Sequence, residues 1–232
     1  MTLAPETALR RPPADPSRIS LEYRHEHTLD AQWDESTLEV WEVEAHINLG
    51  YQPQDAPDPE LLVVGRMSFV RVKMHGPGNP WEAMDAYSGD LASVGETVLD
   101  VGSGEWSPAF DKFLEYPVGD LLVMDRVVLQ PQWRGLALGP ILAASVISRL
   151  SAGCAAVACE PAPADQRELT IAEDERAREK LAALWARIGF RPFRNGIHVL
   201  NCALQRPLDL QQARREEFAA YCRAYASPPA GT

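Results

Sequence analysis

Gln132-Trp133-Arg134-Gly135-Leu136-Ala137-Leu138-Gly139 follows the apolar run 121–129 and opens the apolar-periodic segment 139–150. That order predicts a buried strand, a tight glycine-bearing turn and a helix whose first amides point back into the turn. Such a turn gathers unpaired backbone N–H groups at the positive end of a helix dipole, which makes an anion site suited to a diphosphate. Gly135 lets the backbone approach a ligand without a Cβ, and Ala137 keeps a neighbouring position small.

Downstream, Cys154–Cys159 is a short apolar run, hence a second buried strand, ended by Glu160-Pro161-Ala162-Pro163-Ala164. A helix is expected over 168–188, with acidic residues early and Leu181, Leu184, Trp185 and Ile188 on one face, and Gly189 as its C′ residue. A hairpin follows, 190–194 and 197–204, joined by Asn195-Gly196 as a type I′ turn. Asp209 with Gln212 is expected to cap a last amphipathic helix ending near Tyr225. Upstream, Trp41, Val43, Ala45, Ile47 and Leu49 alternate with Glu42, Glu44, His46 and Asn48, the period of a half-buried strand. A Pro/Asp-rich loop, 52–59, separates it from a strand over 61–74, where a phase slip between Phe69 and Val70 suggests a bulge or bend. A short strand at Ile19–Arg24 precedes both, and Gly76-Pro77-Gly78-Asn79-Pro80 is a firm break.

Thr97-Val98-Leu99-Asp100-Val101-Gly102-Ser103-Gly104 is similar to the first motif of the S-adenosylmethionine-dependent methyltransferases, with Asp125 near the place of that family's ribose-binding acid. Periodicity opposes the match. Met84, Tyr87, Leu91, Val94, Val98 and Val101 alternate three and four apart, one helical stripe through the supposed strand, with Gly102 as its C′ residue. Trp106 stands where the motif needs its third glycine.

A chain of 232 residues can bury a sizeable core, and 46% hydrophobic with 24% charged residues is an ordinary globular composition. The net charge of −11 argues against non-specific nucleic-acid binding, which rests on Lys and Arg neutralising phosphates. It is compatible with a cationic amine as substrate. Cys154, Cys159, Cys202 and Cys222 form no CxxC pair and lie at no zinc spacing, so no metal is expected and a reducing cytoplasm is the expected compartment. No apolar run is long enough to cross a bilayer, and Arg10-Arg11 is followed by prolines instead of an apolar signal segment. The expected organisation is a disordered leader (1–18), one domain (19–206), a C-terminal helix (207–226) and a disordered tail (227–232).

The pattern Gln132-x-x-Gly135-x-Ala137 directly after an apolar strand resembles the pyrophosphate loop of the GNAT superfamily of acyl-CoA N-acyltransferases. The lead-in Val127-Val128-Leu129-Gln130-Pro131-Gln132-Trp133-Arg134-Gly135 resembles that family's strand end, and Leu184-Trp185-Ala186-Arg187-Ile188-Gly189-Phe190 its helix end. The likeness is specific over 119–204 and loose before that. It implies an α/β fold with a mixed, mostly antiparallel central sheet, splayed parallel central strands (121–129 and 154–159) and helices on both faces. The pantetheine arm of acyl-CoA would lie in the gap between those strands.

The resemblance further implies that Val127, Val128, Leu129, Gln132, Trp133, Arg134, Gly135, Leu136, Ala137, Leu138 and Gly139 hold acyl-CoA, acetyl-CoA above others. The Arg134 cation would face the diphosphate, and the Val128 or Leu129 amide would stabilise the tetrahedral oxyanion. Asp125 interrupts an apolar strand and is the candidate base, since a carboxylate so placed should hold its proton more tightly. The alternative is an ion pair with a neighbour such as Arg126. Glu44, His46 and Glu160 are weaker candidates. The departure is at Trp185, where the family carries a tyrosine acid, and at Arg178, where an Asn is common; an indole cannot deliver a proton. Two functions remain open: acyl transfer to an amine by direct attack, or acyl-CoA binding with little turnover, as a sensor or interaction domain. The acceptor would be a small-molecule or protein amine, with no nucleic acid and no membrane as partner, and a homodimer is an allowed assembly.

Overall fold

The computed structural model describes residues 12–27, 37–47, 63–164 and 170–226. Seven strands form one sheet: β1 (Ile19–Arg24), β2 (Leu38–Ile47), β3 (Val63–Val72), β4 (Asp120–Leu129), β5 (Cys154–Cys159), β6 (Arg191–Arg194) and β7 (Ile197–Asn201). Their order is β1-β2-β3-β4-β5-β7-β6. Every neighbouring pair is antiparallel except β4 and β5, which run parallel at the centre. The expected mixed, mostly antiparallel sheet is therefore present. The loop expected over 52–59 and the tail over 227–232 lie outside the described residues.

Helices cover both faces. On one side lie α1 (Pro80–Tyr87), α2 (Gly89–Val98) and the short α3 (Pro108–Asp111); on the other lie α4 (Leu138–Leu150), α5 (Ile171–Ala186) and α6 (Gln205–Ala226). In β4 the side chains split between the two sides: Leu122 and Met124 enter the cluster with α4, Leu121 and Val123 the cluster with α1 and α2. The same two-sided burial explains Phe69 and Val70, which are both fully buried in opposite clusters. Their adjacency reflects a sheet covered on both faces. The expected irregularity does exist one step away, between Ser68 and Phe69, where Ser68 pairs with Arg126 and Phe69 with Met124. The extra residue belongs to the neighbouring strand and is Asp125, a β-bulge.

Local signals decide several elements. Thr170 and Glu173 complete a capping box at the start of α5, and Gly189 leaves that helix at φ +109°. Asn195 and Gly196 both take positive φ, as a two-residue type I′ turn requires. Other expectations need correction. The stripe from Met84 to Val101 is not one helix: Ser88 is extended, ends α1 and caps α2 through its hydroxyl. α2 stops at Val98, Leu99 pairs with Trp106, and the positive φ of the following turn falls on Gly104 and not on Gly102. Thr97-Val98 still ends a helix instead of building a strand, so the methyltransferase motif lacks its context. α6 begins at Gln205, whose amide nitrogen donates to Asp209 at 2.8 Å, so Asp209 lies inside the helix and does not cap it. Pro16–Arg18, within the stretch read as leader, forms a turn capped by Asp15, and the segment packs near α6.

Candidate functional site

The two central strands pair over only the first part of β4. β4 pairs with β5 only over Asp120–Val123, whereas its pairing with β3 continues to Leu129. From Met124 to Leu129 the edge of β4 that faces β5 has no strand partner among the described residues. β5 meanwhile stays bound to β7 as far as Cys159. Backbone N–H and C=O groups left in such a gap need a partner, and an extended amide-bearing ligand arm supplies one.

The turn lies at the end of this gap. Pro131–Trp133 makes a short 3-10 turn, and Gly135 and Ala137 take left-handed conformations, φ +79° and +56°. Trp133, Leu136 and Leu138 are buried, so their side chains pin the turn to the core and they can offer a ligand only backbone. The amides of Gly135, Leu136, Ala137, Leu138 and Gly139 meet no acceptor among the described residues. Ala137 starts α4 without a side-chain cap, so the first amides of the helix stay open. A Cβ at Gly135 would have nothing within 4 Å, so the turn faces open space. The Arg134 Nε donates to the Leu129 carbonyl at 2.8 Å, which braces the turn against the end of β4.

Asp125 projects from the bulge into a cavity of about 320 Å³. Glu42, Arg66 and Ser68 from the sheet, and Tyr87, Ser88 and Asp90 from the α1–α2 junction, share it with Asp125, Arg126 and Val128. This face of the sheet is apolar where the helices cover it, at Val70, Val72, Leu121 and Val123, and turns polar at Glu42, Ser68 and Asp125. The junction at Ser88 marks the change. Burial raises the Asp125 carboxyl above its ordinary value; Arg126 opposes this, Asp90 adds to it, and a hydrogen bond with Ser68 opposes it. Burial also raises the Tyr87 phenol, helped by the negative charges of Asp125 and Glu42.

The weaker base candidates are engaged elsewhere or lie outside this cavity. Glu44 pairs with Arg66 at 3.0 Å, and Glu160 is bound by Arg178, which also holds Asp174. His46 does not line the cavity. Trp185 is 6% exposed in the core with Leu184, and a Cβ at Gly139 would lie 4.0 Å from its ring. Glu42, Ser68, Tyr87, Ser88 and Asp90 escaped sequence reasoning. The polar alternation of β2 was the one signal present, and it could not say which polar residues share a cavity. A second cavity, about 290 Å³ between the hairpin and the start of α6, holds none of the candidate residues. Among the described residues no group of His, Cys, Asp and Glu could hold a metal ion, and no helix is long and apolar enough to cross a membrane.

No protein-family model matches the chain, and no curated protein matches it. Among solved structures it is similar to a point mutant of KacT, at 12% identity over 78% of this chain and 77% of that one, with a TM-score of 0.36. It is also similar to AtaT complexed with acetyl-methionyl-tRNAfMet, at 10% identity over 82% of this chain and 98% of that one, with a TM-score of 0.36.

Proposed function

We propose that this protein transfers an acyl group, acetyl above others, from acyl-CoA to an amine by direct attack. The observation that carries the reading is the edge of β4 left open beyond its pairing with β5, beside a turn whose five amides, Gly135 to Gly139, have no acceptor among the described residues. A donor with a diphosphate at one end and an amide-bearing arm behind it fits both features. Its thioester would reach the Asp125 bulge, with the acceptor cavity on the far side.

The chemistry follows from what lines that place. Asp125, half-buried and with its affinity for protons raised, accepts a proton from the amine, directly or through water. The amine nitrogen then bonds to the thioester carbon, the Val128 or Leu129 amide stabilises the oxyanion, and the C–S bond breaks. The departing thiolate takes its proton from water, because the indole N–H of Trp185 is too weakly acidic to supply one. A thiol of ordinary pKa is a fair leaving group near neutral pH, so the missing acid slows the step without forbidding it. Covalent transfer through a cysteine is disfavoured. Burial pushes the Cys154 thiol up to about 11 and Cys202 up to about 12, and Cys159 higher still.

Trp185 at the tyrosine position favours one alternative, an acyl-CoA-binding protein with little turnover. One pair of measurements decides between them. CoA at about a hundred times its Kd should stabilise the fold by about 2.7 kcal/mol, a rise of roughly 5–10 °C in Tm. Thiol release from acetyl-CoA across a panel of amines then separates transfer from binding alone. No thermal rise with CoA sinks both readings; a rise without thiol release leaves the second.

A further inference from the structure

We propose that the acceptor is an alkyl amine carrying a second positive charge, a diamine or a longer oligoamine. This rests on the acyl-transfer reading and concerns the cavity on its acceptor side. The cavity has two levels. Asp125 is half-buried at its inner end, beside Ser68, which is nine-tenths buried. Glu42, Asp90 and Tyr87 are exposed and form its outer wall. The three carboxylates come from three separate elements, β2, the start of α2 and the β4 bulge, so no single helix end or strand gathers them.

The cations of the wall do not cancel this charge. Arg66 is matched by Glu44 at 3.0 Å, outside the cavity lining. Arg126 offsets one carboxylate, its neighbour Asp125. Glu42 and Asp90 remain, and neither carboxylate makes a hydrogen bond or ion pair among the described residues. An acceptor with its own carboxylate would be repelled at that outer level. An acceptor with one amine would leave the outer carboxylates to water and gain nothing from their charge. A diamine satisfies both levels: the inner nitrogen gives its proton to Asp125 and attacks, while the outer ammonium stays charged between Glu42 and Asp90. The Tyr87 ring offers that ammonium an aromatic wall.

The test compares putrescine, butylamine and γ-aminobutyrate, which share a four-carbon chain, by thiol release from acetyl-CoA and by calorimetric binding to the protein alone. Putrescine should exceed butylamine in kcat/KM by roughly 2- to 30-fold, the range expected for two exposed charge contacts. Added salt should narrow that ratio, since exposed charges are screened. In the Glu42→Gln/Asp90→Asn double variant the ratio should fall toward one. Equal use of putrescine and butylamine, preference for γ-aminobutyrate, or a ratio that survives in the double variant each overturns the proposal. Calorimetry keeps the two readings apart: if no amine releases thiol, acyl transfer has failed, and putrescine binding that is lost in the double variant still upholds the cation cavity. Absence of that binding overturns it.

Discussion

Replacing Gly135 tests the diphosphate turn at the point where the structure separates folding from binding. Gly135 has φ +79°, so any L side chain there costs about 1–2 kcal/mol of backbone strain. No steric penalty adds to this, because an added Cβ has nothing within 4 Å. For a chain of this size the loss amounts to a fall of roughly 2–8 °C in Tm, which leaves the protein folded. Binding should suffer far more. In Gly135→Glu a carboxylate enters the space the diphosphate would occupy. At about 6 Å from one phosphate charge and an effective dielectric of about 20, the repulsion is about 3 kcal/mol, on the order of 100-fold in Kd. Gly135→Ala adds a methyl group but no charge and should fall between wild type and Gly135→Glu. The assay is a thermal-shift titration with CoA on all three proteins, with circular dichroism to verify folding. A folded Gly135→Glu protein stabilised by CoA as much as the wild type would refute the assignment of the turn.

Asp125→Asn should lower kcat/KM by roughly 10²–10⁴-fold with little change in CoA affinity, measured by thiol release; retention of more than about half the activity removes Asp125 from the mechanism. Because the folded state raises the Asp125 pKa, the native carboxylate costs stability as pH rises from its unfolded value through its folded one. Asp125→Asn should therefore melt no lower than wild type at neutral pH, and any advantage should vanish in acid; a clear loss at neutral pH contradicts the raised pKa. Trp185→Tyr separates two roles by sign: a core tryptophan predicts a loss of about 1–3 kcal/mol with no gain in kcat, and a degraded acid predicts a faster enzyme. Gly119→Ala should destabilise by about 2–4 kcal/mol in denaturant titration, since its Cβ would lie 2.4 Å from the Gly153 carbonyl oxygen at φ +126°; a loss under about 0.5 kcal/mol would mean that the β4–β5 entry yields freely.

What the sequence by itself determined is what short-range physics decides. The apolar runs, the period-two alternation of β2 and the Asn195-Gly196 turn each depend on neighbours a few residues away. The same locality explains the failures. The spacing from Met84 to Val101 fits one helix, but Ser88 can cap a helix as well as continue one, and in the fold it caps. Beyond local reach too is the brace from the Arg134 Nε to the Leu129 carbonyl, which depends on how the turn folds back on β4. The bulge at Asp125 is a difference in register between β3 and β4, strands separated by more than forty residues, so no local pattern in either can reveal it. The cavity goes further, since Glu42, Ser68, Tyr87, Asp90 and Asp125 become neighbours only after β2, β3, β4 and the α1–α2 junction have assembled. Hydrophobic periodicity says which face of an element is buried; which polar residues then meet across elements is settled by pairing register and helix docking, and these exist only in the tertiary structure.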